Sequence, residues 1–462
     1  MVKQVVTTIC FILFHCVICY WAFRSSCNIR SFAKSIPTIA KYFGTKGRYE
    51  EVNTYLIDDI LAINNSIATL PSSKCSAIHL TAIIRHGTRL PTNKNIRKMR
   101  DFYNLVVRNA SDKLNCLSEV KSRWTMWYTD DMDGQLVEKG SDDHRYLAQR
   151  LIKWFPSLLS VDNVRNGGVK LMTSTKHRCV SSTIAFRTGL MQGLNREEER
   201  VIAELEIEEN DALMRYFDQC ERFVKEVENN INALEEVKRF NKGAEMKRAM
   251  EKLADRLEVP YSSITYDSIE AAFYLCSYEF TIKGVNSPWC QLFDEADALV
   301  MEYSSDLKQY WKRSYGHEIN RKSSCILFRD LFHRLDRIVA QFNSSGTVSE
   351  VVTVQVGHAE TLIPLLTLLD MFKDDTPLKS TNFATQQNRT FQSSRFVPYA
   401  ANLLVSLYDC PDGIRMEVRL NENPLTLPGL SESVPMYEDV KMHYSALLSG
   451  CDQKTVCKIN NS

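Results

Sequence analysis

The run AIHLTAIIRHG (residues 77–87) restricts the fold most, because it is apolar on both faces of an extended chain and then turns abruptly polar. A strand of this kind is typical of the centre of a parallel sheet that helices cover on both sides. GVKLMTS (168–174) and EVVTVQVGHAE (350–360) are two more predicted strands that end in polar residues. FVPYAANLLVSLYD (396–409) and GIRMEVRLNENPL (413–425) predict a final pair joined by a Pro-Asp-Gly turn. We therefore expect an α/β fold with a mostly parallel sheet flanked by helices.

Helical periodicity follows the first three strands and fills the middle of the chain. Helices are predicted over LVEKGSDDHRYLAQRLIKWFP (136–156), TKHRCVSSTIAFRTGLMQGL (175–194) and TLIPLLTLLDMF (361–372). The region 196–345 is charge-rich and helical in pattern, and it contains no predicted strand. This pattern predicts an α-helical cap subdomain (196–345) inserted between the two parts of an α/β domain (24–195 and 346–462).

The N-terminus (residues 1–23) contains an apolar segment of the secretory type. Lys3 precedes VVTTICFILFHCVICYWAF (5–23), and no charge follows until Arg24. The length suits a signal peptide, and the alternative is an uncleaved anchor that tethers the chain to a membrane. Either interpretation predicts that the remaining chain is secreted or lies in the lumen of the secretory pathway. Acceptor sequences for N-glycosylation agree with that location and occur at Asn64, Asn109, Asn343 and Asn388.

The cysteines and the net charge narrow the class of protein further. Most cysteines after the leader lack the C-x-x-C spacing of zinc sites, which favours disulfides in an oxidising compartment. The predicted disulfides join Cys276 to Cys290 and Cys451 to Cys457, and Cys27 is the predicted free thiol. The formal net charge of +1 argues against a broad nucleic-acid-binding surface, although a local basic cluster can still bind a small anion.

Three groups of polar residues follow the predicted strands. The first is RHGTR (85–89), the second contains Arg178, and the third is HAE (358–360). In a parallel sheet, the carboxyl ends of the strands open on one crevice. The forked guanidinium of arginine matches the oxygens of a phosphate group, and a helix N-terminus strengthens the attraction at Arg178. The sequence therefore predicts a phosphate site formed by Arg85, Arg89, Arg178 and His358.

A histidine between two arginines, together with a distant carboxyl group, predicts phosphoryl transfer through a covalent intermediate. His86 is the predicted nucleophile, and Glu360 is the predicted proton donor to the leaving alcohol. This role requires a protonated carboxyl group, a condition that Glu360 meets if burial raises its pKa. The same carboxylate then activates the water that releases phosphate. Because the arginines cover the phosphate charge and no metal-ligand spacing occurs in the sequence, we expect neither a metal nor another cofactor.

These motifs resemble the histidine acid phosphatase family. The resemblance rests on RHGTRLPTNKNIRKM, LVEKGSDDHRYLAQRL, STKHRCVSSTIAFRTGL, SPWCQLFDEAD, DLKQYWKRSYGHEIN and VPYAANL, and it covers about residues 75–420. The sequence has His-Ala-Glu where most members have His-Asp, and in this it is similar to the members that act on inositol polyphosphates. The resemblance implies a histidine-phosphatase-like α/β domain with a helical cap and metal-independent release of phosphate from inositol hexakisphosphate, and also from 2,3-bisphosphoglycerate. It implies the same roles for the residues named above, and it adds Lys94 as a contact of a second substrate phosphate.

Two alternatives stay open. A general acid phosphatase acts on simple phosphomonoesters, and the glutamate at position 360 and the region around Lys94 argue against it. A protein that binds phosphorylated ligands without catalysis has no need of both His86 and Glu360. The predicted partner is a small polyphosphorylated substrate, and the sequence carries no information on oligomeric state.

Overall fold

The computed structural model describes residues 36–64, 74–111, 115–194 and 199–459. The apolar leader (5–23) and Cys27 lie outside these residues, so the signal peptide, the anchor and the free thiol stay predictions. Within the described ranges, no helix is both long enough and apolar enough to cross a membrane.

A seven-stranded sheet forms the centre of the molecule. Its strands are β1 (Ser76–Arg85), β2 (Val169–Thr173), β3 (Ile207–Glu209), β4 (Val352–Gly357), β5 (Asn402–Cys410), β6 (Gly413–Leu420) and β7 (Asn423–Pro424). They lie in the order β3-β2-β4-β1-β5-β6-β7. The first four strands in that order run parallel, whereas β5 is antiparallel to both of its neighbours and β7 is antiparallel to β6. The predicted α/β fold with a mostly parallel sheet is confirmed.

Helices surround this sheet. In the described part of the chain, eight helices have ten or more residues: α1 (Asn93–Asn109), α2 (Glu138–Trp154), α3 (His177–Gly193), α4 (Ala244–Leu257), α5 (Tyr266–Lys283), α6 (Glu295–Arg313), α7 (Cys325–Ser345) and α8 (Ala359–Leu368). Shorter α-helices span Asn115–Ser122, Val161–Arg165, Glu199–Ala203, Asp211–Met214, Tyr216–Gln219, Glu221–Phe223, Glu235–Asn241, Glu318–Lys322, Ser393–Phe396, Tyr437–His443, Ser445–Gly450 and Gln453–Cys457. A π-helical turn spans Val224–Glu228, and 3-10 turns span Ala40–Tyr42, Gly44–Lys46, Tyr49–Glu51, Thr54–Ile57, Asp130–Met132, Tyr261–Ser263, Pro288–Leu292 and Phe383–Thr385.

Alternate residues of β1 contribute to two hydrophobic cores, one on each face of the sheet. Leu80 and Ile84 lie in the core that also contains Phe186 of α3. Ile83 lies in the other core, together with Leu362 of α8 and apolar residues of α4 to α7. Successive side chains of a strand point to opposite faces, so this arrangement follows directly from the doubly apolar pattern of β1.

The pairing register brings three strand ends to the same level. β1 pairs with β4 so that Arg85 lies opposite Gly357, and β2 pairs with β4 so that Thr173 lies opposite Val356. The residues that follow these strands therefore emerge side by side at one edge of the sheet, and they are His86, Ser174 and His358.

The region predicted as a helical cap contains one short strand. β3 joins the edge of the sheet beside β2, where the charge-rich pattern predicted helices alone. A strand of three residues is too short to show an alternating pattern in the sequence. Helix α1, which precedes the predicted boundary at residue 196, packs against α5, and Lys98 binds Glu270 at 2.7 Å. The boundaries of the cap stay a prediction.

Disulfides join distant parts of the chain. The four pairs in the described residues are Cys75–Cys410, Cys220–Cys457, Cys276–Cys290 and Cys325–Cys451. The predicted bond between Cys276 and Cys290 is present. The predicted bond between Cys451 and Cys457 is wrong, because the short helix Gln453–Cys457 directs the two thiols towards different partners. Cys179 is buried and carries a free thiol.

The N-terminal segment (residues 36–64) lies beside the carboxyl ends of the strands. Tyr49 donates a hydrogen bond to Glu422 at 2.7 Å, and the buried pair of Arg150 and Glu422 lies next to it at 2.7 Å. The Gly47 carbonyl accepts a hydrogen bond from the Tyr399 amide at 3.1 Å. These contacts attach the segment to the edge of the sheet where the predicted site lies.

Candidate active site

Main-chain hydrogen bonds hold the loop that follows β1. The His86 amide donates to the Gly357 carbonyl at 2.9 Å, and the His86 carbonyl accepts from the Ala400 amide at 3.2 Å. The Gly87 amide donates to the Ser182 hydroxyl at 3.0 Å. The loop is therefore fixed to β4, to the residues before β5 and to α3, and the position of His86 is fixed with it.

The His86 ring is buried and neutral. Its Nδ1 lies 2.9 Å from the Gly87 carbonyl oxygen, and because a carbonyl only accepts, Nδ1 carries the proton and Nε2 keeps a free lone pair. Burial, and then the charges of Arg85 and Arg178, lower the pKa of His86 well below its usual value. A neutral imidazole with a free Nε2 is the form that can act as a nucleophile.

Arg85 is bound at one end of its guanidinium group. One terminal nitrogen donates to the carbonyl oxygens of Thr45 at 2.8 Å and Val397 at 2.7 Å. The guanidinium carbon lies 4.4 Å from the centre of the Tyr399 ring. Burial, reinforced by Arg89, lowers the pKa of Arg85 to about 10, so the group stays charged at neutral pH. Its remaining N–H groups are available to bind an anion.

Arg178 and His358 form the opposite side of the site. Arg178 donates to Nδ1 of His358 at 3.3 Å, so Nε2 of His358 carries the proton and lies 3.0 Å from the Ser174 hydroxyl. Burial lowers the pKa of His358 to about 3, and Arg178 adds to this effect while Glu360 opposes it. The structure therefore brings together the residue after β2, the start of α3 and the turn after β4.

Arg89 is the third arginine of the group. Its guanidinium donates to the Leu90 carbonyl at 2.7 Å. Burial disfavours the cation, but Tyr278, Tyr399 and Glu360 outweigh that effect and raise the pKa of Arg89. The residue is therefore positively charged at any physiological pH.

Glu360 lies in the first turn of α8, and 39% of its side chain is exposed. The nearest cation is Arg313 at the end of α6, 3.9 Å from Oε1. Burial disfavours the carboxylate, but Arg313, His358 and Arg85 outweigh it and lower the pKa of Glu360 to about 2. The condition for the donor role, a raised pKa, is therefore not met in the protein alone, because Arg313, which no motif identified as a neighbour, stabilises the carboxylate.

Lysines near the site differ from the prediction. Lys94 is exposed in the first turn of α1. Lys46 of the N-terminal segment and Lys308 of α6, which were not predicted, line one cavity together with Tyr274. The Nζ of Lys46 lies 4.9 Å from the centre of the Tyr274 ring. Burial, reinforced by Lys308 and Arg89, lowers the pKa of Lys46 to about 8. The short turns of the N-terminal segment carry no motif from which this lysine could have been found.

The site concentrates positive charge around one neutral imidazole. Arg85, Arg89 and Arg178 all act electrostatically on His86, and each has a buried Nε without a hydrogen-bond partner among the described residues. Buried donors of this kind require an acceptor, and an anion with several oxygens can satisfy all three. The arrangement can bind a phosphate group, attack its phosphorus atom from Nε2 of His86 and transfer a proton through Glu360.

Comparison with known sequences agrees with this chemistry. The chain matches the histidine phosphatase superfamily (branch 2) over residues 78–423. It is 44% identical to multiple inositol polyphosphate phosphatase 1 of Homo sapiens over 442 residues, which cover 91% of this chain and 90% of the human protein. Identity to the Gallus gallus protein of the same name is 43% over 425 residues, which cover 90% and 92% of the two chains.

Two solved structures share the fold. The multiple inositol polyphosphate phosphatase of Bifidobacterium longum, in complex with inositol hexasulfate, matches with a TM-score of 0.70 and 15% identity over 88% of this chain and 98% of that one. The phytase from D. castellii matches with a TM-score of 0.73 and 16% identity over 92% and 88% of the two chains. Because the family match spans both the signature loop and the His-Ala-Glu turn, this protein belongs to the histidine phosphatase superfamily, branch 2.

Proposed function

We propose that this protein hydrolyses phosphomonoesters of inositol polyphosphates through a phosphohistidine intermediate. The observation that carries the proposal is the state of His86, whose Nδ1 proton is held by the Gly87 carbonyl and whose Nε2 is free among three arginines. The names of the human and chicken relatives support the substrate class.

The first step transfers the phosphoryl group to the protein. Nε2 of His86 attacks phosphorus, and the ester oxygen leaves with the electron pair of the P–O bond. Glu360 gives that oxygen a proton, so the products are the free alcohol and phosphohistidine. The arginines stabilise the negative charge that spreads over the non-bridging oxygens.

The second step releases phosphate. The Glu360 carboxylate takes a proton from water, and the water oxygen attacks phosphorus while the P–N bond breaks. His86 recovers its lone pair, and Glu360 holds the proton until the phosphate departs. The pKa of about 2 belongs to the protein alone. A phosphate group adds negative charge among the same arginines, which raises the pKa of Glu360 and favours the protonated donor.

The two lysines of the neighbouring cavity support a substrate with several phosphates. Lys46 follows Thr45, whose carbonyl binds Arg85, so the lysine lies next to the arginines that surround His86. Lys308 lines the same cavity from α6. We assign a second phosphate of the substrate to this lysine pair, because a simple monoester has no group that reaches it. Lys94 on α1 stays a predicted contact.

Substrate preference tests the proposal. We would measure kcat/KM for phosphate release from inositol hexakisphosphate, 2,3-bisphosphoglycerate and nitrophenyl phosphate, each with a metal chelator present. We expect inositol hexakisphosphate to be preferred and the chelator to have no effect. A preference for nitrophenyl phosphate favours a general acid phosphatase, and a strict metal requirement contradicts the mechanism.

The covalent intermediate gives a second test. His86→Ala is expected to abolish turnover and the acid-quenched radiolabelled phosphoprotein, and a label on any residue other than His86 refutes the assignment. Glu360→Gln is expected to slow the hydrolysis of alkyl phosphates much more than that of nitrophenyl phosphate, whose leaving group needs little protonation. Equal losses with both esters argue against a proton donor at this position.

We also propose that the chain follows the secretory route. Four disulfides support this location, because such bonds persist in oxidising compartments. Asn109, Asn343 and Asn388 are exposed and Asn64 is half-buried, which supports glycan attachment at the acceptor sites. N-terminal sequencing of secreted protein separates a cleaved signal peptide from an anchor, and a reduced protein found only in the cytosol contradicts the proposal.

A further inference from the structure

The helix that carries Glu360 has a defect in its first turns. α8 begins at Ala359 and contains Pro364. Proline has no N–H group, so the carbonyl oxygen four residues earlier, that of Glu360, lacks its helical hydrogen bond. The main chain therefore lacks one helical hydrogen bond at Glu360, the proposed proton donor.

A tyrosine hydroxyl lies where the missing donor belongs. The hydroxyl group of Tyr216 is 2.9 Å from the Thr361 carbonyl oxygen and 3.3 Å from the Glu360 carbonyl oxygen. Tyr216 is only 1% exposed, so water does not compete for this bond. We infer that Tyr216 is a positioning residue for Glu360: its hydroxyl donates mainly to the Thr361 carbonyl and also contacts the Glu360 carbonyl, whose helical partner Pro364 removes, and it thereby fixes the first turn of α8 that carries the carboxyl group.

The residues next to Tyr216 hold the same turn at further points. The Thr361 hydroxyl donates to the Met214 carbonyl at 2.7 Å and accepts from the His358 amide at 2.9 Å. The Phe217 ring lies edge-on to the His358 ring, with 6.2 Å between the ring centres. The segment 214–217 thus contacts the turn of residues 358–361 through one carbonyl acceptor, one hydroxyl donor and one ring. Such a set of contacts is suited to fixing geometry, because no member of it reaches the reacting atoms.

The inference rests on the proposed role of Glu360, and a comparison of leaving groups tests it. Tyr216→Phe removes the hydroxyl and keeps the ring. We expect kcat/KM for glycerol phosphate, whose alkoxide must be protonated as it leaves, to fall by about five- to tenfold, which corresponds to one lost hydrogen bond. We expect nitrophenyl phosphate, whose leaving group is stable as an anion, to lose less than twofold. A purely structural role lowers both rates equally, and that result overturns the inference.

A second substitution makes the test specific to the missing bond. Pro364→Ala restores an N–H group opposite the Glu360 carbonyl. The Tyr216→Phe change is then expected to have a smaller effect on glycerol phosphate in the Pro364→Ala background. An undiminished loss in that background also overturns the inference. The comparison stays informative if Tyr216→Phe alone does not fold, because the double variant is measured against Pro364→Ala.

Tyr303→Phe is a matched control. Tyr303 is buried, and its hydroxyl donates to a main-chain carbonyl, that of Lys379, at 2.8 Å. It contacts no residue of the site, so the control is expected to change stability without any dependence on the leaving group. If the wild-type protein shows no phosphatase activity at all, the proposed function is refuted. That outcome is distinct from a failure of the Tyr216 inference, which requires an active wild-type protein.

Discussion

Gly87 is the position in the signature loop where the smallest change should have the largest effect. A Cβ atom added to Gly87 lies 2.2 Å from the carbonyl oxygen of Gly140 and 2.6 Å from its carbonyl carbon, both in the main chain of α2. Ordinary contacts at such a position begin at 3.4 Å, so Gly87→Ala forces the loop and the helix apart by about 1 Å. The loop carries His86, so the displacement reaches the proposed nucleophile.

The expected loss follows from that displacement. A reacting group misplaced by about 1 Å costs about a hundredfold in rate, because attack at phosphorus requires a close and aligned approach. The stability cost is that of an overpacked interior, about 1–3 kcal/mol. We therefore expect Gly87→Ala to fold, to melt at a lower temperature and to lose about two orders of magnitude in kcat towards nitrophenyl phosphate.

Gly189 of α3 offers a control with the same steric defect. A Cβ atom at Gly189 lies 2.3 Å from the main-chain carbonyl oxygen of Arg145, also in α2. Gly189→Ala should destabilise the protein to a similar degree, but its site of contact is not part of the loop that holds His86. The assay is kcat at a temperature where circular dichroism shows both variants folded.

Two results would refute this reasoning. If Gly87→Ala keeps nearly full activity, the close contact with Gly140 does not determine the position of His86. If Gly189→Ala loses activity to the same extent, the loss reflects general loosening of the packing between α2 and α3.

Three further predictions concern charge and burial. Burial lowers the pKa of His144 to about 4, whereas the unfolded value is near 6.5, so unfolding takes up a proton and the free energy of unfolding falls as pH decreases from 6.5 to 4. His144→Gln should reduce this pH dependence, measured by urea unfolding, by about 1.4 kcal/mol per pH unit, and an unchanged dependence contradicts the assignment. Lys46→Met should raise KM for inositol hexakisphosphate about tenfold and leave nitrophenyl phosphate unchanged, while Lys41→Met, an exposed lysine of the same segment, should change neither. Arg389 is buried and binds Asp306 at 2.6 Å and Glu302 at 3.0 Å. Arg389→Met should leave these two buried carboxyl groups without their cation and reduce the free energy of unfolding by about 3–5 kcal/mol. A loss below about 1 kcal/mol in urea unfolding contradicts this account.

The loops that carry His86 and His358 were predictable because the strands before them have a recognisable apolar pattern in the sequence. β1 is apolar on both faces, so its pattern identifies both a central strand and the point where it ends, which is the position of His86. β4 has the same property before His358. Since the ends of neighbouring parallel strands lie side by side, the pairing of two distant motifs follows from the fold class without any knowledge of their separation in sequence.

The remaining part of the site depends on contacts that have no periodic signal. Arg313 lies at the end of a charge-rich helix, where a cation usually faces solvent, yet only 10% of its side chain is exposed beside Glu360. Tyr216 lies in a helix of four residues, which is too short to show an apolar face. The partners of Cys451 and Cys457 were missed for a related reason, since loop length in the sequence does not report the distance between two thiols in the fold.

The cations of the site have opposite consequences for the two groups of the proposed mechanism. Together with burial, they lower the pKa of His86 and keep it neutral, as a nucleophile requires, and they keep Glu360 ionised, which a proton donor cannot be. A bound phosphate group places negative charge among these cations and raises the pKa of Glu360, whereas burial still keeps the His86 ring neutral. The donor therefore takes up its proton as the substrate binds, and it gives that proton to the alcohol that leaves. Once the alcohol has left, Glu360 is again a carboxylate, which is the form needed to activate water. Under the proposed mechanism, the charge of the substrate thus sets the order in which the acid and base forms of Glu360 are used.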